Sequence, residues 1–122
     1  MRELVKEDIP SKMEGLKKIN SKYPTFVRVH NALGLCFLEQ NEAEMAISWF
    51  KKGLEINPQF YVLMCGLAMA YNSQGNSDTA IKLSQQSIVL NPKHHEPYFT
   101  MGEAYSIKGH FQEAEQWYRK CI

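Results

Sequence analysis

The chain lacks an excess charge of either sign. Its 14 Lys and Arg are offset by 13 Asp and Glu, leaving a formal net charge of +1. No long-range field therefore favours DNA, RNA or an anionic membrane surface. The densest basic stretch, Lys12, Lys17, Lys18 and Lys22, reads as one solvated helix face. Apolar runs of the roughly 18 residues that a membrane-spanning helix needs are missing too. The segment Met1 to Pro10 carries Glu3, Glu7 and Asp8 without an apolar block, so it does not read as a signal peptide. A cytoplasmic address is the expectation.

Metal and catalytic signatures are equally scarce. Cys36, Cys65 and Cys121 form no CxxC pair and have no zinc-like spacing, which points to free thiols in a reducing compartment. His94-His95 lacks further ligands at metal-binding spacing, and His30 and His110 stand alone, as packing or surface residues do. Glu42 and Glu44, like Glu113 and Glu115, read as solvent-facing helix carboxylates. Gly53, Gly66, Gly75 and Gly102 are too dispersed for a phosphate-binding loop. No Ser-His-Asp or Cys-His signature stands out. The expectation is a protein without catalytic residues, cofactor or metal.

What the chain does have is a period. Pro24, Pro58 and Pro92 recur every 34 residues. Gly34, Ala68 and Gly102 keep the same step, as do Leu33, Leu67 and Met101. Phe37, Tyr71 and Tyr105 form an aromatic column, Ala46, Ala80 and Ala114 an invariant one, and Leu54, Ile88 and Ile122 an aliphatic one. Asn57-Pro58 returns as Asn91-Pro92.

Within each unit the spacing predicts two helices. Val29, Ala32, Leu33, Cys36 and Phe37 follow helical periodicity, and Ala46, Ile47, Phe50 and Leu54 do so again over about Ala43 to Ile56. The pattern breaks at Gln40-Asn41, Gln74-Gly75 and Lys108-Gly109, where Gly or Asn suits a left-handed cap. Asn-Pro then ends the second helix, because proline disfavours helical geometry in the residue before it. Small residues at Gly34, Ala68 and Gly102 are expected to let the two helices of a hairpin cross closely against Ala46, Ala80 and Ala114. Ser84 stands where its neighbours place Phe50 and Tyr118, so looser packing is expected there.

From Val27 to Ile122 the pattern resembles the tetratricopeptide repeat family. The run Tyr98-Phe99-Thr100-Met101-Gly102-Glu103-Ala104-Tyr105, with Ala114 and Tyr118, is the nearest match. The resemblance implies an all-α, right-handed superhelical solenoid of stacked hairpins. It divides the chain into an N-terminal helical segment, residues 1–26, and three units, 27–60, 61–94 and 95–122. Ser11 to Tyr23 reads as the second helix of a degenerate earlier repeat, opened by a capping box at Ser11 and Glu14. Lys12 occupies its alanine column. The last unit stops inside its second helix. The natural protein is therefore expected to continue, or the edge formed by Trp117, Tyr118, Cys121 and Ile122 to meet another chain, self-association included.

In this family the first helix of each hairpin lines a concave groove. The residues matching its groove columns are Arg28, Asn31, Leu35, Leu38 and Glu39 in the first unit. The second unit supplies Val62, Cys65, Met69, Asn72 and Ser73, and the third Glu96, Phe99, Glu103, Ser106 and Ile107. The best-known use of such a groove is a clamp of Lys, Arg and Asn around the terminal carboxylate of heat-shock chaperone tails. The matching positions here are Asn31, Leu35, Gly66, Glu96 and Thr100, none of them basic, so that ligand is rejected in this register. An apolar floor with acidic edges remains. It implies a scaffold that binds a protein or peptide with apolar anchors and some basic residues. The alternatives are a secretion chaperone built from such repeats, or a regulatory array belonging to a larger enzyme such as a glycosyltransferase.

Overall fold

In the computed structural model, which describes residues 8–121, those residues contain seven α-helices and no strand. They are α1 (Ile9–Lys22), α2 (Val27–Glu39), α3 (Ala43–Ile56), α4 (Tyr61–Ser73), α5 (Ser77–Leu90), α6 (Glu96–Ile107) and α7 (Phe111–Lys120). Consecutive helices pack as antiparallel neighbours, and the pairs α2–α3, α4–α5 and α6–α7 are the hairpins that the period predicts.

The turn inside each hairpin needs one left-handed residue. Asn41, Gly75 and Gly109 supply it at φ 62°, 78° and 83°, and they lie one period apart. A backbone bond from Glu42, Asn76 and His110 to the carbonyl of Phe37, Tyr71 and Tyr105 closes the three turns alike. The aromatic column thus marks the last turn of each first helix. The capping-box reading of Ser11 is corrected. Asp8 is the N-cap, Pro10 sits in the first turn, and Ser11 lies inside the helix, donating its hydroxyl to the Asp8 carboxylate at 2.9 Å.

The glycines facing neighbouring helices meet a different partner from the one expected. A Cβ at Gly34 would lie 2.4 Å from the Phe50 ring, and one at Gly66 would lie 2.6 Å from the same ring. Phe50 of α3 is therefore a fully buried wedge between its own hairpin and the next. Gly102 receives Tyr118 in the same way, at 2.6 Å. By the repeat register, Ala68 and Thr100 flank Ser84 as Gly34 and Gly66 flank Phe50. The smaller wedge has larger neighbours, and all three are buried, which replaces the expected looseness with a compensating exchange of volume.

Curvature follows from which layers touch. The first helices contact one another, α2 with α4 and α4 with α6, whereas α3, α5 and α7 do not contact one another. The stack therefore curves with α2, α4 and α6 on its inner side. Central α4 buries Leu63, Cys65, Leu67, Ala68, Ala70 and Asn72 between neighbours on several sides.

Candidate peptide-binding groove

The inner side holds a cavity of about 520 Å³. Asn31, Leu35, Leu38 and Glu39 of α2 line it with Met69 of α4, joined by Ala32, Cys36 and Lys12. Helical spacing explains the grouping. Asn31, Leu35, Leu38 and Glu39 are i, i+4, i+7 and i+8 on a single face, and the opposite stripe of α2 is taken up by Val29, Leu33 and Phe37 in the core. Leu35 is 38 % exposed, so an aliphatic surface is left open at the cavity mouth.

Lys12 was not expected in this site. It belongs to α1, and its place in the column of Ala46 was the available signal. A long cationic side chain stands where each later repeat has a fully packed methyl, and it reaches the cavity instead.

The other groove positions divide. Arg28 lies exposed with its guanidinium 5.7 Å from the Phe60 ring centre. Val62 is half-buried, and the Ser73 hydroxyl donates to the Met69 carbonyl at 3.3 Å. Cys65 and Asn72 are corrected as groove contacts, because both are buried in the seam between α4 and α6. The Asn72 amide donates to the Thr100 carbonyl at 3.1 Å, and the Cys65 sulfur lies 3.9 Å from the Thr100 hydroxyl. Burial, reinforced by the Glu96 carboxylate, pushes the Cys65 thiol up to about 12.

The third-unit residues lie on α6, outside this cavity. Phe99 and Ile107 are each 50 % exposed, Ser106 is half-buried, and Glu96 lies 3.5 Å from the His94 ring. Glu103 is half-buried, and desolvation raises its carboxyl above the ordinary range. Among the described residues no three of His, Cys, Asp and Glu gather as metal ligands would. None of their helices is long and apolar enough to cross a membrane.

Family models described as tetratricopeptide repeat match residues 27–60, 49–82 and 83–116. The chain belongs to the tetratricopeptide repeat family. One match begins at α2, whereas the other two begin within α3 and α5, so the family pattern is recognisable in either phase of the repeat. Solved tetratricopeptide structures share the fold. A MamA protein aligns at TM-score 0.78 and 26% identity, over 93% of this chain and 62% of its own. The tetratricopeptide protein TTC0263 of Thermus thermophilus aligns at 0.83 and 20% identity, over 93% of this chain and 63% of its own. The second tetratricopeptide domain of Spaghetti (RPAP3), solved with the HSP90 peptide SRMEEVD, aligns at 0.72 and 21% identity, over 84% of this chain and 95% of its own. The chain thus spans about three-fifths of the MamA and TTC0263 chains. A comparison with curated protein sequences returned no match.

Proposed function

We propose that this tetratricopeptide array is a protein-interaction scaffold that seats a peptide or partner helix along the inner faces of α2 and α4. The observation that carries the reading is the open cavity between Leu35, Leu38 and Met69, with Asn31 and Glu39 at its edge. Leu35, Leu38 and Met69 offer a pocket for one aliphatic or aromatic anchor, Met69 adapting to its shape. Asn31 donates to or accepts from a peptide backbone, and Glu39 favours a basic residue beside the anchor. Phe99 and Ile107 offer further apolar contact on the third hairpin.

A terminal carboxylate of the kind the heat-shock clamp takes is not the ligand in this reading. Asn31 and Leu35 offer it no cation, Lys12 is a single cation lining the cavity beside Glu39 where the clamp uses several, Gly66 is covered by Phe50, and Thr100 donates its hydroxyl to the Glu96 carbonyl at 3.0 Å. The chain's place is within the reducing cytoplasm, and its chemistry is recognition without catalysis. The C-terminal edge that the sequence points to, Trp117, Tyr118, Cys121 and Ile122, is kept as a surface for self-association; Ile122 lies outside the described residues.

Selection from a random peptide library on the immobilised chain tests the groove. Enriched sequences with an apolar anchor beside Lys or Arg support it, provided that Leu35→Asp abolishes their binding. Enrichment of acidic C-terminal tails contradicts it.

A further inference from the structure

Polar side-chain links tie the second hairpin to the third. The Asn72 amide donates to the Thr100 carbonyl, and the Lys108 ammonium donates to the Asp78 carboxylate at 2.5 Å. Asp78 lies in the first turn of α5 and Lys108 caps the end of α6, so the lysine reaches from one hairpin turn to the next. Its hydrogen bond and charge hold the Asp78 carboxyl below the ordinary range.

One period earlier, between the first and second hairpins, both links are missing. Leu38 stands in the column of Asn72 and has no donor to offer. Glu44 keeps the carboxylate of Asp78, but Gln74 stands in the column of Lys108. This junction retains the acid of the pair without its ammonium.

A cavity of about 430 Å³ opens there, and Glu42 and Glu44 line it with Asn41, Ser73 and Gln74. No Lys, Arg or His contributes to the lining. Both carboxylates are exposed, and neither forms an ion pair among the described residues. The cavity adjoins the groove. Glu39 lines the groove cavity, and Asn41, two residues on, lines this one. Met69 lines the groove cavity, and Ser73, one helical turn on, lines this one. A chain anchored between Leu35, Leu38 and Met69 therefore has the turn edge beside it.

We infer that a Lys or Arg of the groove-bound peptide enters this turn-edge cavity and sets its cation on Glu44 and Glu42, in the place that Lys108 takes on Asp78 one period on. Lys108 is the chain's own template for the contact, because it brings an ammonium from a neighbouring element to the same column. The inference rests on the groove reading and adds where the basic residue goes. Lys12 lines the groove cavity from α1 and repels a second cation, whereas the α3 side carries only carboxylates. The peptide thus runs from its apolar anchor towards the first turn of α3.

The test is calorimetric titration of a library-selected peptide bearing a Lys or Arg, and of the same peptide with Gln in its place. Glu42→Gln combined with Glu44→Gln removes both carboxylates at exposed positions. Gln74→Lys supplies the ammonium from the chain itself, as Lys108 does for Asp78. Leu35→Asp breaks the anchor pocket. The wild type is expected to prefer the basic peptide by about threefold to fivefold, the scale of an exposed ion pair, and salt should shrink the preference. The carboxylate double variant and Gln74→Lys should each lose the preference while binding the Gln peptide as the wild type does. A preference that persists in both, while Leu35→Asp binds neither peptide, leaves the groove reading standing and overturns this inference alone, because the cation is then read elsewhere, at Glu39. Wild-type binding of both peptides by Leu35→Asp would overturn the groove reading and this inference with it.

Discussion

The Phe50 ring occupies the space that a side chain at Gly34 would need, leaving 2.4 Å between its Cε1 atom and a Cβ built there. Gly34→Leu is therefore expected to destabilise the fold by about 1–3 kcal/mol or more, because a buried ring with Gly66 behind it has no room to retreat. Ala80→Leu, at a fully buried alanine, is expected to behave alike. Gly15→Ala should do the opposite. It is a helical glycine with open space around it, and the replacement is expected to stabilise by roughly 0.5–1 kcal/mol. Urea unfolding of the three variants decides it, and equal effects at Gly34 and Gly15 would contradict the packing described.

Ser84 yields a prediction that runs against the repeat pattern. Its hydroxyl is buried without a protein partner, so Ser84→Ala is expected to stabilise by about 1 kcal/mol. Ser84→Phe, the residue its own column favours, should destabilise, because Ala68 and Thr100 stand where Phe50 has glycines. Adding Ala68→Gly and Thr100→Gly should recover part of the loss. Thermal unfolding of the series checks the coupling, and additive effects would refute it.

Much of this arrangement was legible before the structure. The period fixed the hairpins, and Asn41, Gly75 and Gly109 marked their turns, because a left-handed residue has a strong local signature. The partner of each glycine was not legible. Periodicity shows that Gly34 and Ala46 recur with the same step, but only the packing of α3 against α2 and α4 shows that Phe50 lies between Gly34 and Gly66. The groove columns came from family resemblance. Leu35, Leu38 and Met69 do line one cavity, whereas Cys65 and Asn72 turn into the α4–α6 seam because helix α4 has neighbours on several sides. The α1 contribution was missed, since Lys12 reads from sequence as one charge on a solvated face.

Glu103 should make stability pH-dependent in a defined direction. Burial raises its folded-state carboxyl above the ordinary value. Between those two values the folded chain binds more protons than the unfolded chain, so this group's contribution falls as pH rises through the window. Glu103→Gln removes the titration. The stability of the variant relative to wild type should therefore rise across the window and level off above it. Denaturation at a series of pH values measures that difference, and a flat or falling difference contradicts the assignment.

Thiol chemistry separates the three cysteines. Cys36 and Cys65 are buried, and the Cys65 thiol is pushed up to about 12. Half-buried Cys121 is also raised by desolvation, but it lies at the end of α7. A disulfide reagent at neutral pH is expected to modify Cys121 first and slowly, and the other two only on unfolding. Rapid modification of Cys65 in the native protein would show that the α4–α6 seam is open.

The central claim is that the inner face of α2 and α4 recognises a partner. The most direct measurement is the affinity of a library-selected peptide for the wild type, for Leu35→Asp and Met69→Asp, and for Val89→Asp on α5, where Val89 is 78 % exposed and lies outside the groove cavity. Helicity and melting temperature should be matched for all four. The account predicts at least a tenfold loss for each groove variant, about 1.4 kcal/mol or more, and unchanged binding by Val89→Asp. Normal binding by both groove variants together with loss in Val89→Asp would contradict it.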